Sequence, residues 1–273
     1  MLGVIALGGG FDGAISVGYW KYFKEKEIIP DYAQLVSVNV LNGLSFISRN
    51  STEELEDWWL NTIAQKGPSF IFRRGNKIDF FYRLLFGDHL FNSGGLEFLI
   101  KNGGDVKTFL QSPIYTEIAT CNESKGYELN FFNKQNINPL FFSDMILAAT
   151  ALTPAFKPRL IEGQWHSDAL TFDIERAIDY GCNKIIIMRN DHDKKINRPK
   201  HWFTRLTRSE GFLVNELTEA KIQLARLNNV NCEIVELKIN KSLPNINTEH
   251  FQSPDDIKRA IDYGYEAAVK ILK

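Results

Sequence analysis

Cysteine is scarce. Three residues, Cys121, Cys182 and Cys232, stand far apart in a chain of 273, with no Cys-x-x-Cys pair. An odd number without a framework argues against a disulfide-stapled scaffold and fits a reducing compartment or one indifferent to thiols. Thiolate metal binding is disfavoured for the same reason. An excess of charge of one sign is also missing: 32 Lys and Arg stand against 33 Asp and Glu. Bulk electrostatics therefore select neither nucleic acid nor an anionic membrane, which leaves only local patches. No apolar run reaches the ~20 residues that a membrane-spanning helix needs. Met1–Leu7 runs into Gly8 with no basic segment before it and reads poorly as a secretory leader. Repeats, low-complexity tracts and evident linkers are absent. The expectation is a globular protein, cytoplasmic or peripheral to a membrane, with an effector or viral origin left open and the oligomeric state unread.

What is present is ordinary apolar content, 44%, and an enrichment in aromatics, with 20 Phe. Val4–Leu7 is a short apolar run ended by three glycines, as in a buried strand of a parallel sheet. Helical spacing follows over 13–26, and strand and helix signals then alternate to a final helix over 255–272. Lys184–Met188 (Lys-Ile-Ile-Ile-Met) is the clearest buried strand. Alternation of this kind predicts an α/β fold with a mainly parallel sheet. One domain over 1–273 is expected, with 68–111 as a cap or insertion. In that segment Phe70, Phe72, Phe80, Phe81, Tyr82, Phe86 and Phe91 stand among Arg73, Arg74, Lys77 and Arg83. Such a mixture suits a lipid interface or a cap over an acyl pocket, and equally a core with snorkelling arginines.

Three local patterns could carry chemistry. First, Gly8-Gly9-Gly10-Phe11-Asp12-Gly13 lies between a strand and a helix, where unpaired N–H groups face an anion or oxyanion. Its spacing formally matches a dinucleotide loop, but the next strand ends in Ser37 and Asn39 rather than an acid for the ribose. A tight turn without a ligand explains it as well. Second, Leu35-Val36-Ser37-Val38-Asn39 puts a serine between strand and helix, as a nucleophile elbow or as a helix cap. Third, Asp168 in Trp165-His166-Ser167-Asp168 falls in an expected loop before a helix, where an ordinary turn or capping aspartate is the plain alternative. His166 reads as structural. Asp191-His192-Asp193 reads as a solvated turn, because no further metal ligand is spaced with it.

In this order, the three patterns resemble the patatin-like phospholipases, which carry GGGxRG, then GxSxG followed by Ala-Leu-Asn-Gly or similar, then a small-residue helix, a Pro-rich bend and Asp-Gly-Gly. Leu41-Asn42-Gly43 and Leu152-Thr153-Pro154-Ala155-Phe156 fix the correspondence without using the serine. The resemblance spans residue 1 to about 190. It implies a three-layer α/β/α fold and hydrolysis of a lipid or membrane-surface ester. Ser37 would be the nucleophile and Asp168 the general base. Gly8, Gly9, Gly10 and Val38 would form the oxyanion hole. No cofactor, metal or nucleic-acid partner is implied. The other class is a patatin fold that has lost catalysis and binds lipid, scaffolds or has a structural role.

The chain departs from the family pattern where the backbone is shaped. Leu35 and Asn39 replace both elbow glycines, Ala169 and Leu170 follow Asp168, and Asp12 replaces the arginine. Leu35 and Asn39 are expected to push neighbouring backbone apart, so that restoring both glycines would raise turnover. Asp12 is expected to modulate the site, turning outward to cap the following helix.

Overall fold

The structure is a computed structural model that describes residues 1–48, 52–73, 75–87, 89–100, 106–191, 202–239, 243, 245–247 and 250–273. The strands are β1 (Leu2–Ala6), β2 (Tyr32–Leu35), β3 (Tyr115–Asn122), β4 (Glu128–Phe132), β5 (Arg159–Ile161), β6 (Gln164–Asp168), β7 (Lys184–Met188) and β8 (Glu233–Leu237). They form one sheet in the order β5-β6-β3-β2-β1-β7-β8, with β4 also paired to β3. The centre is parallel, from β3 through β2, β1 and β7 to β8, and the antiparallel pairings gather around β3 and β6. A short hairpin, β9 (Ile246–Asn247) and β10 (His250–Phe251), lies apart from this sheet.

The helices are α1 (Ala14–Glu25), α2 (Asn39–Ile47), α3 (Thr52–Asp57), α4 (Pro68–Ile71), α5 (Lys77–Phe86), α6 (Gly94–Ile100), α7 (Val106–Gln111), α8 (Phe142–Ala149), α9 (Ile174–Asp179), α10 (Trp202–Asn228) and α11 (Pro254–Ile271). Alternation along β1 sets the layers, because successive side chains leave opposite faces. Val4 and Ala6 join one apolar cluster with α1, α2, α8 and α11, whereas Ile5 joins a second with Ile174, Ala177, Ile222 and Ala225 from α9 and α10. This is the three-layer α/β/α arrangement. Residues Ile71, Leu90, Phe91, Leu96, Ile100 and Phe109, all within 68–111, belong to the first cluster.

Asp168 does not lie in a loop. It ends β6, a strand that hydropathy could not mark, since Gln-Trp-His-Ser-Asp lacks an apolar alternation. The β5–β6 turn is set by Glu162 and Gly163, both at positive φ, and the polar strand is held by its pairing to β3. Of the Asp191-His192-Asp193 cluster, His192 and Asp193 lie outside the described residues. Asp191 itself pairs with Arg189. Among the described residues no helix is long and apolar enough to cross a membrane.

Helices α1 and α11 cross with backbone against backbone. A Cβ at Gly264 would overlap Ile15 O, and one at Gly18 would overlap Ile261 O. The substitution Gly264→Ala gains ~1 kcal/mol of helix propensity. It should lose about 3 kcal/mol to overpacking, a net destabilisation of about 2 kcal/mol read as a lower urea midpoint.

Candidate active site

The carboxyl ends of β2, β1 and β7 lie side by side, and that end of a parallel α/β sheet is the usual ligand position. The ladder continues past β2 through Val36 N to Ala6 O at 3.0 Å, and helical bonding begins at once with Asn39 N to Val36 O (3.1 Å) and Val40 N to Ser37 O (2.9 Å). No residue is left over to make the bend except Ser37, which takes φ 56°. A non-glycine residue in that region is strained. Ser37 is 8% exposed, and its side chain lies against the glycine loop. A Cβ at Gly8 would sit 2.6 Å from Ser37 Cβ and 3.2 Å from its Oγ, so only glycine fits at position 8.

The loop itself turns through Gly9 at φ 150° and Gly10 at φ 56°. Asn190, two residues beyond β7, fastens it: Nδ2 donates to Leu7 O at 2.7 Å and to Gly8 O at 3.0 Å. The backbone N–H groups of Gly8, Gly9, Gly10 and Val38 donate to no partner among the described residues. Sequence reasoning missed Asn190, since nothing near it in the chain points to residues 7 and 8.

Both elbow positions are packed by specific neighbours. Leu35 is fully buried, and its isopropyl group occupies the space that a side chain at position 43 would need. Gly43 on α2 thus makes the room that Leu35 takes. Asn39 draws the loops together. Its Nδ2 donates to Leu7 O at 2.5 Å, and its Oδ1 accepts from Ser16 Oγ at 2.6 Å. Asn42 Nδ2 donates to Gly13 O (3.0 Å) and to Ser16 Oγ (2.9 Å), while Asn42 Oδ1 accepts from Trp59 Nε1 (2.9 Å).

Asp12 is not turned outward. It is 2% exposed in a 3-10 turn, Gly10–Gly13, that feeds straight into α1 with Gly13 already helical, and no side-chain cap is formed there. The continuous entry leaves no free helix start for Asp12 to cap.

β3 brings Asp168 to the level of Ser37. Leu35 pairs with Ile118, and Thr120, two residues on, pairs with Asp168. The Asp168 backbone N–H donates to Ala151 O at 3.1 Å, and its Oδ1 accepts from Leu170 N at 3.2 Å. Leu170, in the place of a family glycine, adopts φ 53°. Among the described residues Ser37 Oγ has no hydrogen-bond partner, so it and the Asp168 carboxylate are not bonded to each other. His166 is buried with Nδ1 3.1 Å from Thr120 Oγ1, and burial lowers its pKa below the usual histidine value, which favours the neutral ring. Among the described residues no three His, Cys, Asp or Glu side chains could hold a metal ion.

The model of the patatin-like phospholipase family matches residues 7–173, more than half of the chain and the span that holds the glycine loop, Ser37 and Asp168. The chain belongs to that family, whose members act on lipids. Among solved structures, VipD from Legionella pneumophila resembles it with a TM-score of 0.50 and 11% identity over 99% of this chain, a likeness of fold. The match covers 66% of VipD, so the chain spans about two thirds of that protein's length. No curated protein matches the chain.

The packing of Leu35 reverses the expectation for restored glycines. Leu35→Gly should empty a fully buried site and cost about 4 kcal/mol in urea unfolding. Asn39→Gly should cost about 1 kcal/mol more by removing its hydrogen bonds to Leu7 O and Ser16 Oγ, atoms that Asn190 and Asn42 still bond. The double variant should therefore be less stable than the wild type and not relieved of a strain.

Proposed function

We propose that the protein is a lipid acyl-ester hydrolase in which Ser37 is the nucleophile and Asp168 the general base. The observation that carries the reading is the left-handed backbone of Ser37 at a strand-to-helix turn, because strain of this kind persists where a site over-determines it. Ser37 Oγ attacks the ester carbonyl carbon and its proton passes to Asp168. The alcohol leaves with that proton, and water deprotonated by Asp168 then releases the acid from the acyl-serine. The N–H groups of Gly8, Gly9, Gly10 and Val38 are available to the oxyanion. In this reading the chain is one patatin-like domain over 1–273, with 68–111 a helical insertion beside the site.

A second reading, a patatin fold without catalysis, has its own support. Leu35 and Asn39 stand in place of both elbow glycines, and Asp12, buried in the glycine loop, stands in place of the family's arginine. A fluorophosphonate serine probe separates the two. The hydrolase reading expects labelling that Ser37→Ala abolishes, and a fall in turnover of a soluble ester of about 10²–10⁴ in Asp168→Asn. A folded wild-type chain that neither labels nor turns over supports the second reading.

Asp12→Asn tests the charge in the loop. A carboxylate buried near a developing oxyanion opposes it, so removal of the charge with the shape kept should raise kcat on a soluble ester by about tenfold, equivalent to ~1.4 kcal/mol. Unchanged kcat would place the Asp12 carboxylate outside the field of the reaction.

A further inference from the structure

Helix α5 carries an apolar face that none of the described residues covers. Ile78, Phe81, Tyr82, Leu85 and Phe86 are 60–81% exposed, and their spacing puts all five on one side of the helix. The inward-facing Phe80 packs on Phe91 at 6.4 Å between ring centroids. The sequence segment that holds this helix is basic. Residues 66–86 hold Lys66, Arg73, Arg74, Lys77 and Arg83 against a single acid, Asp79, in a chain whose net charge is −1. Lys66 and Arg73 rest over the Phe70 ring, at 4.7 and 4.5 Å from its centroid, contacts that leave their positive charge intact. An exposed apolar face within a basic segment is the pattern of a helix that lies in the interface of an anionic lipid surface. Docking a second copy on the same face would bring together two segments of like net charge, which disfavours a dimer.

We propose that α5 docks the protein onto anionic lipid. The aromatic packing behind the helix gives this docking a direction. Phe91 meets Phe72 at 5.2 Å, and Phe72 meets Phe11 at 6.1 Å, inside the turn that follows Gly8–Gly10. Phe91 N and Leu90 N also bond to the 154–155 backbone, at 2.8 Å (Ala155 O) and 3.0 Å (Pro154 O). The docking helix is thus joined by ring contacts to Phe11, directly after the glycine loop, which sets that loop on the side of the lipid. The inference does not depend on whether Ser37 reacts.

The test is co-sedimentation of the full chain with phosphatidylcholine vesicles, with and without phosphatidylserine. Binding should be at least about tenfold tighter to the anionic vesicles and should weaken at high salt. Phe81→Ser with Leu85→Ser, at exposed positions, should reduce binding by about tenfold or more at an unchanged circular dichroism spectrum. Lys77→Glu should erase the preference for phosphatidylserine while leaving the fold intact. Absence of vesicle binding by the wild type, or binding that the double serine variant leaves unaltered, overturns the proposal. So does self-association that the double serine variant abolishes, which would assign the face to a second copy. Fluorophosphonate labelling in solution, measured on the same samples, reports on Ser37 separately: labelling without vesicle binding rejects the docking and keeps the hydrolase reading.

Discussion

A serine at φ 56° costs about 1–3 kcal/mol relative to a relaxed backbone, and it stays there only if its surroundings allow nothing else. The surroundings here are a buried polar network. Asn39 ties α2 to the end of β1, Ser16 ties α1 to Asn39, and Asn42 ties α2 to the Gly13 carbonyl and to Trp59. Trp59 belongs to a π-helical stretch, Trp58–Ala64, that continues α3. A satisfied network in a low-dielectric interior is rigid, because any shift strands a polar group without water. Three elements converge on the two turns that define the crevice, and this fixes the relation of Ser37 to Gly8.

The same constraint explains why the altered motif keeps its shape. A motif specifies residues near in sequence, whereas packing needs only that two surfaces fit. Leu35 fits because position 43 has no side chain, and Asn39 is tolerated because it replaces empty space with bonds to Leu7 and Ser16. Leu170 holds φ 53° in the place of a glycine while its N–H bonds to Asp168, so a left-handed turn after the acid survives without the residue that favours it. The pattern has lost glycines without losing the turns they serve.

These facts set what could be read from the chain. β1 and β7 were legible because both faces of a central parallel strand are buried and the run is continuously apolar. The glycine loop and Leu41-Asn42-Gly43 were legible as local patterns. β6 was not, because its stability comes from pairing with β3 rather than from its own hydropathy. The accommodation of Leu35 by Gly43 was not, because the feature that matters is an absent side chain on another element. Asn190 was out of reach, since its role is defined by carbonyls about 180 positions away in the chain. Asp12 misled, because an aspartate before a helix is commonly a cap, and only the 3-10 entry to α1 removes that option.

The loss of the loop arginine raises the question of whether another cation supplies its charge. Arg189, beside Asn190 at the end of β7, is the buried candidate, yet its guanidinium is already engaged. It donates to both oxygens of Asp191 (2.7 and 2.8 Å), to Glu219 (2.5 Å) and to Glu236 (2.8 Å). Those carboxylates hold its pKa above the ordinary arginine value against the opposing effect of burial. A cation surrounded by three anions exerts little net field beyond them. Its effect on the crevice is mechanical: it anchors the strand end from which Asn190 reaches Leu7 and Gly8. With that guanidinium engaged, what the loop itself offers an anion is its backbone N–H dipoles. Such dipoles act only at the distance and direction the loop dictates, so the loss of a loop cation raises the demand on the rigidity that the polar network and Asn190 provide.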